Sequence, residues 1–181
     1  LGGIKIPFNR GLDGHSDSDP VLHAIIDSLL GACKLGDIGR LFSNKNKKFK
    51  NIRSTILLKK VVSLIKSKNF FINNIDINII AQKPKITKYS KKMSKIICKL
   101  CEINSNQINI KGKTTEKLGL IGKGKACYSV SQWTNSKGYC FPDQPELVVA
   151  DNQTRVYSKA VSEKKRVLEY ETWGEVYSSR D

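Results

Sequence analysis

Residues 14–39 read GHSDSDPVLHAIIDSLLGACKLGDIG, and the rest of the chain is organised around them. The stretch holds both histidines, His15 and His23, and four aspartates, Asp17, Asp19, Asp27 and Asp37. Asp19 suits a helix N-cap, and Pro20 suits the first helical turn, where its missing N–H is not needed. The spacing predicts a helix from Pro20 to about Cys33. Val21, Leu22, Ile25, Ile26, Leu29 and Leu30 cover too much of its circumference for a one-sided surface helix, so it is expected to be largely buried. Asp19, His23 and Asp27, spaced i, i+4 and i+8, fall along one side. A polar row in a buried helix costs stability, which marks the row as a candidate binding surface. Taken singly, each residue also has an ordinary reading, as a hydrogen-bonded histidine or as a capping or solvated aspartate.

Outward from that helix, residues 1–13 (LGGIKIPFNRGLD) predict a strand from Ile4 to Phe8 bounded by glycines. LGDIGRLF, at 35–42, reads as a loop in which Gly36 and Gly39 let backbone approach a ligand, or as a helix C-cap at Gly36 followed by a turn. Residues 43–53 form a basic loop. Ser54 is placed to cap a second helix running to about Ser67, apolar at Leu57, Leu58, Val61, Val62, Leu64 and Ile65, with Lys59, Lys60 and Lys66 outward. Ile75–Gln82 alternates as a strand that Pro84 ends. A third helix is expected from about Ser90 to Cys101, apolar at Met93, Ile96, Ile97 and Leu100. Gln107–Lys113 reads as another strand, and a last short one begins near Ala126. This order of strand, helix, helix, strand, helix, strand, strand indicates an α+β fold, a mixed β-sheet with helices packed on one face.

A length of 181 residues predicts one domain with a real core. The composition changes past Val130: residues 131–181 contain no isoleucine and hold both tryptophans, Trp133 and Trp173. Residues 1–130 therefore read as the domain and 131–181 as a tail of separate origin. A net charge of +16 raises nucleic-acid binding as one reading. The lysines are scattered among isoleucine and asparagine between 40 and 115, as an A/T-rich coding bias would leave them. The aromatic interleaving of single-strand binders is absent there. Five cysteines, an odd number, point to a reduced compartment. Cys98 and Cys101 form a CxxC that no second pair or nearby histidine completes as a zinc site, so helix packing is the expected role. No apolar run reaches transmembrane length. The chain begins at Leu1 and not at Met, so any targeting segment is expected to lie outside it.

Four separated segments, HSDSD with HAIID, LGDIGRLF, AQKPK and KTTEKLG, occur in an order and at separations that closely resemble the 2-C-methyl-D-erythritol 2,4-cyclodiphosphate synthase family of the non-mevalonate isoprenoid pathway. The resemblance covers residues 1–125. It implies a lyase that forms a cyclic diphosphate and releases CMP by intramolecular phosphoryl transfer from 4-diphosphocytidyl-2-C-methyl-D-erythritol 2-phosphate. Such chemistry asks for in-line positioning and neutralisation of phosphate charge, for which divalent metals are the natural means.

Carried over by the resemblance, His23 matches a zinc ligand and Glu116 a ligand to magnesium or manganese. His15 and Thr114 match the positions credited with stabilising the transition state, with Ser16 beside His15 on the phosphates. Asp37, Ile38 and Gly39 match the loop holding the sugar hydroxyls, followed by Phe42 and by Asn44 where the family tends to have an acid; Asp27 resembles a substrate-side carboxylate. Ala81, Gln82, Lys83, Pro84, Lys85, Ile86 and Thr87 match the cytosine pocket. Lys113 and Thr115 flank Thr114 on the phosphate-facing turn. Leu120 and Lys123 line the substrate, with Lys123 standing where the family usually has arginine, which keeps charge but loses a bidentate fork. The family's Asp-x-His pair, which supplies two further zinc ligands, is expected before Leu1.

The resemblance further implies a homotrimer with active sites between subunits. The pathway together with the lysine and asparagine bias suggests an apicoplast-like plastid, with bacterial-type cytoplasm as the alternative. Besides the enzyme, two other classes stand open: a basic nucleic-acid-binding protein, whose affinity would fall steeply with salt, and a non-catalytic remnant of the synthase.

Overall fold

The computed structural model describes residues 1–12, 16–43, 45–49, 51–135, 158–160 and 166–177. In chain order the elements are β1 (Gly11–Leu12), α1 (Pro20–Ala32), α2 (Ile38–Leu41), α3 (Ser54–Ser67), β2 (Ile72–Ile80), α4 (Ser90–Cys101), β3 (Ile108–Lys113), α5 (Gly119–Gly122), β4 (Ala126–Asn135), β5 (Ser158–Ala160) and β6 (Arg166–Tyr177). The sheet order is β1-β6-β4-β2-β3, with β5 on β6. β2 and β3 run parallel, whereas β2–β4, β4–β6, β5–β6 and β1–β6 are antiparallel. The fold is α+β on a mixed sheet.

α1 is the core helix that its apolar density predicts. Val21, Leu22, Ile25, Ile26, Leu29 and Leu30 are all fully buried, each contributing about 1.5–3 kcal/mol relative to exposure. Ile75, Ile77 and Ile79 face the same core from β2, with Leu57, Leu58, Val61, Val62 and Ile65 of α3 and Met93 and Ile97 of α4. A smaller apolar cluster, Ile121, Ala126, Tyr128 and Val130 with Ile80 beside it, follows the opposite parity of β4.

The pairing also brings several chain ends together. Ile80, ending β2, stands opposite Lys113, ending β3, and opposite Tyr128 near the start of β4. Cys127, next in β4 to Tyr128, is buried in the same core cluster as Val21 and Leu22 of the first turn of α1, and burial pushes its thiol up to about 11. A hydrogen bond between His23 and Ser54 adds the start of α3.

Several expectations are corrected. Ile4–Phe8 is not a strand; the first strand is Gly11–Leu12. Gly2 and Gly3, just before it, take positive φ and give their N–H groups to Asp19 at 2.8 and 2.7 Å; within it, Ile4 N–H closes a turn onto Leu1 C=O and Pro7 has no N–H, which interrupts the row of donors a ladder needs. A Cβ on Gly2 would lie 2.8 Å from Met93 Cγ, so the segment also packs too closely for a side chain there.

The turn after α1 is made by Lys34 at φ 56°, not by Gly36: Leu35 N–H closes onto Leu30 C=O in a Schellman-type end. LGDIGRLF then contains a helical turn, α2. Ser54 is the first residue of α3 and not its cap, because Arg53 holds the N-cap position without a side-chain bond. β2 begins three residues before Ile75 and ends at Ile80, before Gln82 and well short of Pro84. The last strand is ten residues long and crosses the compositional boundary at 130/131 without a break. β6 pairs along it from Ala126↔Glu175 to Thr134↔Val167.

Candidate active site

The helix row of Asp19, His23 and Asp27 divides by role. The Asp19 carboxylate accepts from the N–H groups of Gly2, Gly3, Val21 and Leu22, which caps α1 and ties down the N-terminal segment. Those four donors saturate it, so Asp19 is structural. His23, half-buried, places Nε2 2.8 Å from Ser54 Oγ and 3.3 Å from Ser16 Oγ. Burial holds its ring pKa below the usual histidine value, against the opposing pull of the Asp19 and Asp17 charges. Ser54 Oγ donates its one proton to Asp17 Oδ1, and Ser54 N–H donates to Asp17 Oδ2 at 2.9 Å. Asp17 thereby supplies from a distant loop the first-turn acceptor that α3 lacks locally.

Asp27 is buried, and its Oδ1 accepts the Ile38 N–H at 2.7 Å. Its pKa is raised to about 6, first by burial and then by the Asp37 charge, with the Ile38 hydrogen bond opposing. Asp37 caps α2 by accepting the Arg40 N–H at 2.8 Å, and its other oxygen lies 3.3 Å from Arg40 Nε. Asp37 and Gly39 are exposed and Ile38 half-buried, while Phe42 points into the main core against the Phe49 ring. His15 and Asn44 lie outside the described residues.

The other two motifs meet directly. Ala81 N–H bonds Lys113 C=O at 3.0 Å, and Gln82 Oε1 accepts the Lys117 N–H at 3.2 Å. The AQKPKIT loop and the TTEKLG turn thus leave the adjacent carboxyl ends of two parallel strands side by side, the usual place for a ligand crevice. Ala81 and Ile86 are buried and anchor the loop; Lys83, Lys85 and Thr87 are exposed, and Pro84 follows a cis peptide bond.

Thr114 donates its hydroxyl proton to Glu116 Oε1, and Thr115 Oγ1 donates to Leu118 C=O at 2.8 Å. Glu116 and Lys117 both take positive φ, which turns the chain sharply beneath Gly122. A Cβ at Gly122 would sit 2.1 Å from the Lys117 carbonyl carbon, so only glycine allows the approach. Leu120, Lys113 and Lys123 are exposed on the same loops.

Sequence reasoning missed three residues here: Asp17 and Ser54, which hold His23, and Gly122, which shapes the turn. Asp17 was visible only as one of several acids, and Ser54 looked like an ordinary cap. The structure brings AQKPKIT to KTTEKLG and HSDSD to the start of α3, both at one end of the sheet; no hydrogen bond among the described residues joins the two groups.

As a zinc donor His23 fits one position, since zinc takes a neutral imidazole nitrogen and burial favours that form. Among the described residues no three His, Cys, Asp or Glu side chains converge as a metal site, so His23 has no completed ligand set there. Glu116 offers a hard carboxylate oxygen beyond the one Thr114 occupies, which suits a hard cation. Cys33, Cys98 and Cys101 are free, and burial pushes the Cys101 thiol well above its usual value, as packing predicts for the CxxC.

A model of the YgbB family matches residues 1–134. The bifunctional enzyme IspD/IspF of Pelagibacter ubique is 64% identical over 126 residues, which are 70% of this chain and 34% of that protein. The 2-C-methyl-D-erythritol 2,4-cyclodiphosphate synthase of Clostridium acetobutylicum is 51% identical over 131 residues, 72% of this chain and 84% of that protein. Among solved structures, the bifunctional IspDF of Campylobacter jejuni matches with TM-score 0.66 and 28% identity, over 98% of this chain and 37% of that one. The CDP complex of Plasmodium falciparum IspF matches with TM-score 0.56 and 31% identity, over 90% and 74%. The chain spans about a third of each bifunctional relative. Its four motifs, two of them now seen packed together at the strand ends, fall within the matched residues, and the chain belongs to the YgbB family.

Proposed function

We infer that this chain converts 4-diphosphocytidyl-2-C-methyl-D-erythritol 2-phosphate to 2-C-methyl-D-erythritol 2,4-cyclodiphosphate and CMP, as a lyase of isoprenoid precursor synthesis. The observation that carries the reading is the Gln82–Lys117 bond, which puts the AQKPKIT loop against the TTEKLG turn in a chain 51% identical to a synthase of that name. The CDP bound to the Plasmodium falciparum relative supports a cytidine diphosphate ligand. The 2-phosphate attacks the β-phosphorus and CMP leaves, so the protein's work is to hold both phosphates in line and to offset their charge.

In this reading the backbone of 81–87 receives the base, with Lys85 and Lys123 beside the phosphates. Asp37, Ile38 and Gly39 receive the sugar hydroxyls. Thr114 and His15, with Ser16, stabilise charge on the transferring phosphoryl group. Glu116 orients the Thr114 hydroxyl and would hold magnesium or manganese, and His23 would hold zinc with ligands beyond the described residues. Such ions supply charge neutralisation on the phosphate oxygens when bound.

A homotrimer with sites between subunits is part of the proposal, supported by exposed Leu118 and Leu120 beside the smaller apolar cluster. The setting we propose is an apicoplast-like plastid or a bacterial-type cytoplasm. The residue bias fits both, and the identity to the Pelagibacter ubique protein supports the second. No helix among the described residues is long and apolar enough to cross a membrane. Residues 131–181 are proposed as a tail of separate origin whose β6 has been taken into the sheet.

The test is CMP release and 31P NMR of the cyclic product with divalent metals present. Thr114→Val and Glu116→Gln are expected to lower kcat by about 100- to 1,000-fold with an unchanged melting temperature. Activity equal to wild type in both variants would refute the site, and inertness with metals present even after an upstream Asp-x-His segment is supplied would favour the non-catalytic remnant.

A further inference from the structure

We propose that Asp17 and Ser54 are positioning residues that fix the tautomer of His23, so that Nδ1 is the nitrogen left free to meet an electrophile. A count of protons leads there. Ser54 is fully buried and has one hydroxyl proton, and its Oγ touches both Asp17 Oδ1 and His23 Nε2. A carboxylate can only accept, so that proton lies toward Asp17. The Ser54 oxygen is then the acceptor in the 2.8 Å contact, and His23 Nε2 must carry the donated proton.

A neutral imidazole has one N–H, which leaves the lone pair on Nδ1. Two further contacts hold the arrangement. Asp17 Oδ2 takes the Ser54 N–H at 2.9 Å, so the carboxylate cannot turn away without orphaning a helix-terminal donor. Ser16 Oγ lies 3.3 Å from the same Nε2, a second oxygen on the protonated side. Histidines that bind metals are commonly oriented through the nitrogen that does not ligate, by a carboxylate or carbonyl. Here a serine stands between the carboxylate and the ring, and its hydroxyl passes on the polarity of Asp17. That the electrophile is zinc rests on the function proposed above; the tautomer itself does not.

The experiment is long-range 1H–15N NMR of the full chain labelled at histidine, at a pH where His23 is neutral, with His15→Gln used for assignment. Wild type is expected to show His23 protonated at Nε2 and bare at Nδ1. Asp17→Ala frees the Ser54 proton to turn toward Nε2, and the His23 proton is expected to shift toward Nδ1; Asp17→Glu keeps both acceptor oxygens and, where the longer arm still reaches Ser54, should keep the wild-type pattern.

A wild-type proton on Nδ1 overturns the proposal, as does a folded Asp17→Ala whose His23 signals match wild type. Zinc titration is a separate readout, in which Asp17→Ala is expected to lose affinity by on the order of 10- to 100-fold. An Nε2–H ring in a chain that binds no zinc even when an upstream Asp-x-His segment is supplied would support the positioning role and count against the zinc reading.

Discussion

The buried Asp27 carboxylate holds the backbone N–H of Ile38 at 2.7 Å, joining the core helix to the first residue of the turn that bears Asp37 and Gly39. The bond makes that turn an extension of α1. With a folded pKa of about 6 against 3.8 for an unperturbed aspartate, the carboxyl keeps in the fold a proton that the unfolded chain has lost. Folding therefore takes up protons between about pH 4 and 6, and stability falls as pH rises through that window by on the order of 2–3 kcal/mol. Asp27→Asn is expected to flatten that slope in denaturant titrations. Asp27→Ala should cost about 1–3 kcal/mol by orphaning the Ile38 N–H and should speed its hydrogen exchange.

Gly122 sits where no side chain fits, against the backbone of Lys117. Gly122→Ala is expected to displace the turn carrying Thr114 and Glu116, lowering stability by about 1–3 kcal/mol and lowering kcat/KM by far more than that loss explains. Thermal melts and CMP release on the same sample check both numbers. Wild-type kcat/KM in this variant would mean that the turn is not part of the site.

The Gln82–Lys117 bond links two loops at the surface, so its loss should change stability by no more than about 0.5 kcal/mol. Its expected effect is on substrate binding: Gln82→Ala raises KM with kcat little changed, because the loops lose their relative placement without losing a group on the phosphates. Gln82→Glu keeps the acceptor and should keep KM near wild type.

Thiol labelling tests the core. Burial pushes the Cys33 thiol up to about 12 and the Cys127 thiol to about 11, and raises Cys101 further still. Cys98 is half-exposed on the outer side of α4. Among these four, native-state labelling mapped by peptide mass is expected to find Cys98 first, with the others reacting only on unfolding. Prompt labelling of Cys101 would contradict the packing of α4.

Local signals explain which elements were legible. α1 and α4 start where the pattern puts them, because one apolar side of a helix is a short-range signal that packing reinforces. Ile4–Phe8 misled for the opposite reason. An apolar run reads as a strand, but the two glycines that lead into it are held by the Asp19 carboxylate, a residue 16 and 17 positions further along the chain. Ser54 likewise has the sequence position of a cap, yet its hydroxyl serves His23 and Asp17.

By itself, the sequence determined the three long helices, the isoleucine face of the central strand, and four motifs whose order identifies the family, because periodicity and residue type are carried by neighbours in the chain. The tertiary structure alone decided that Asp19 is structural, that Asp17 and Ser54 orient His23, and that Gly122 admits the Lys117 backbone. Each of these depends on hydrogen bonds or clearances between segments that meet only when the chain is folded, and no local pattern encodes such distances.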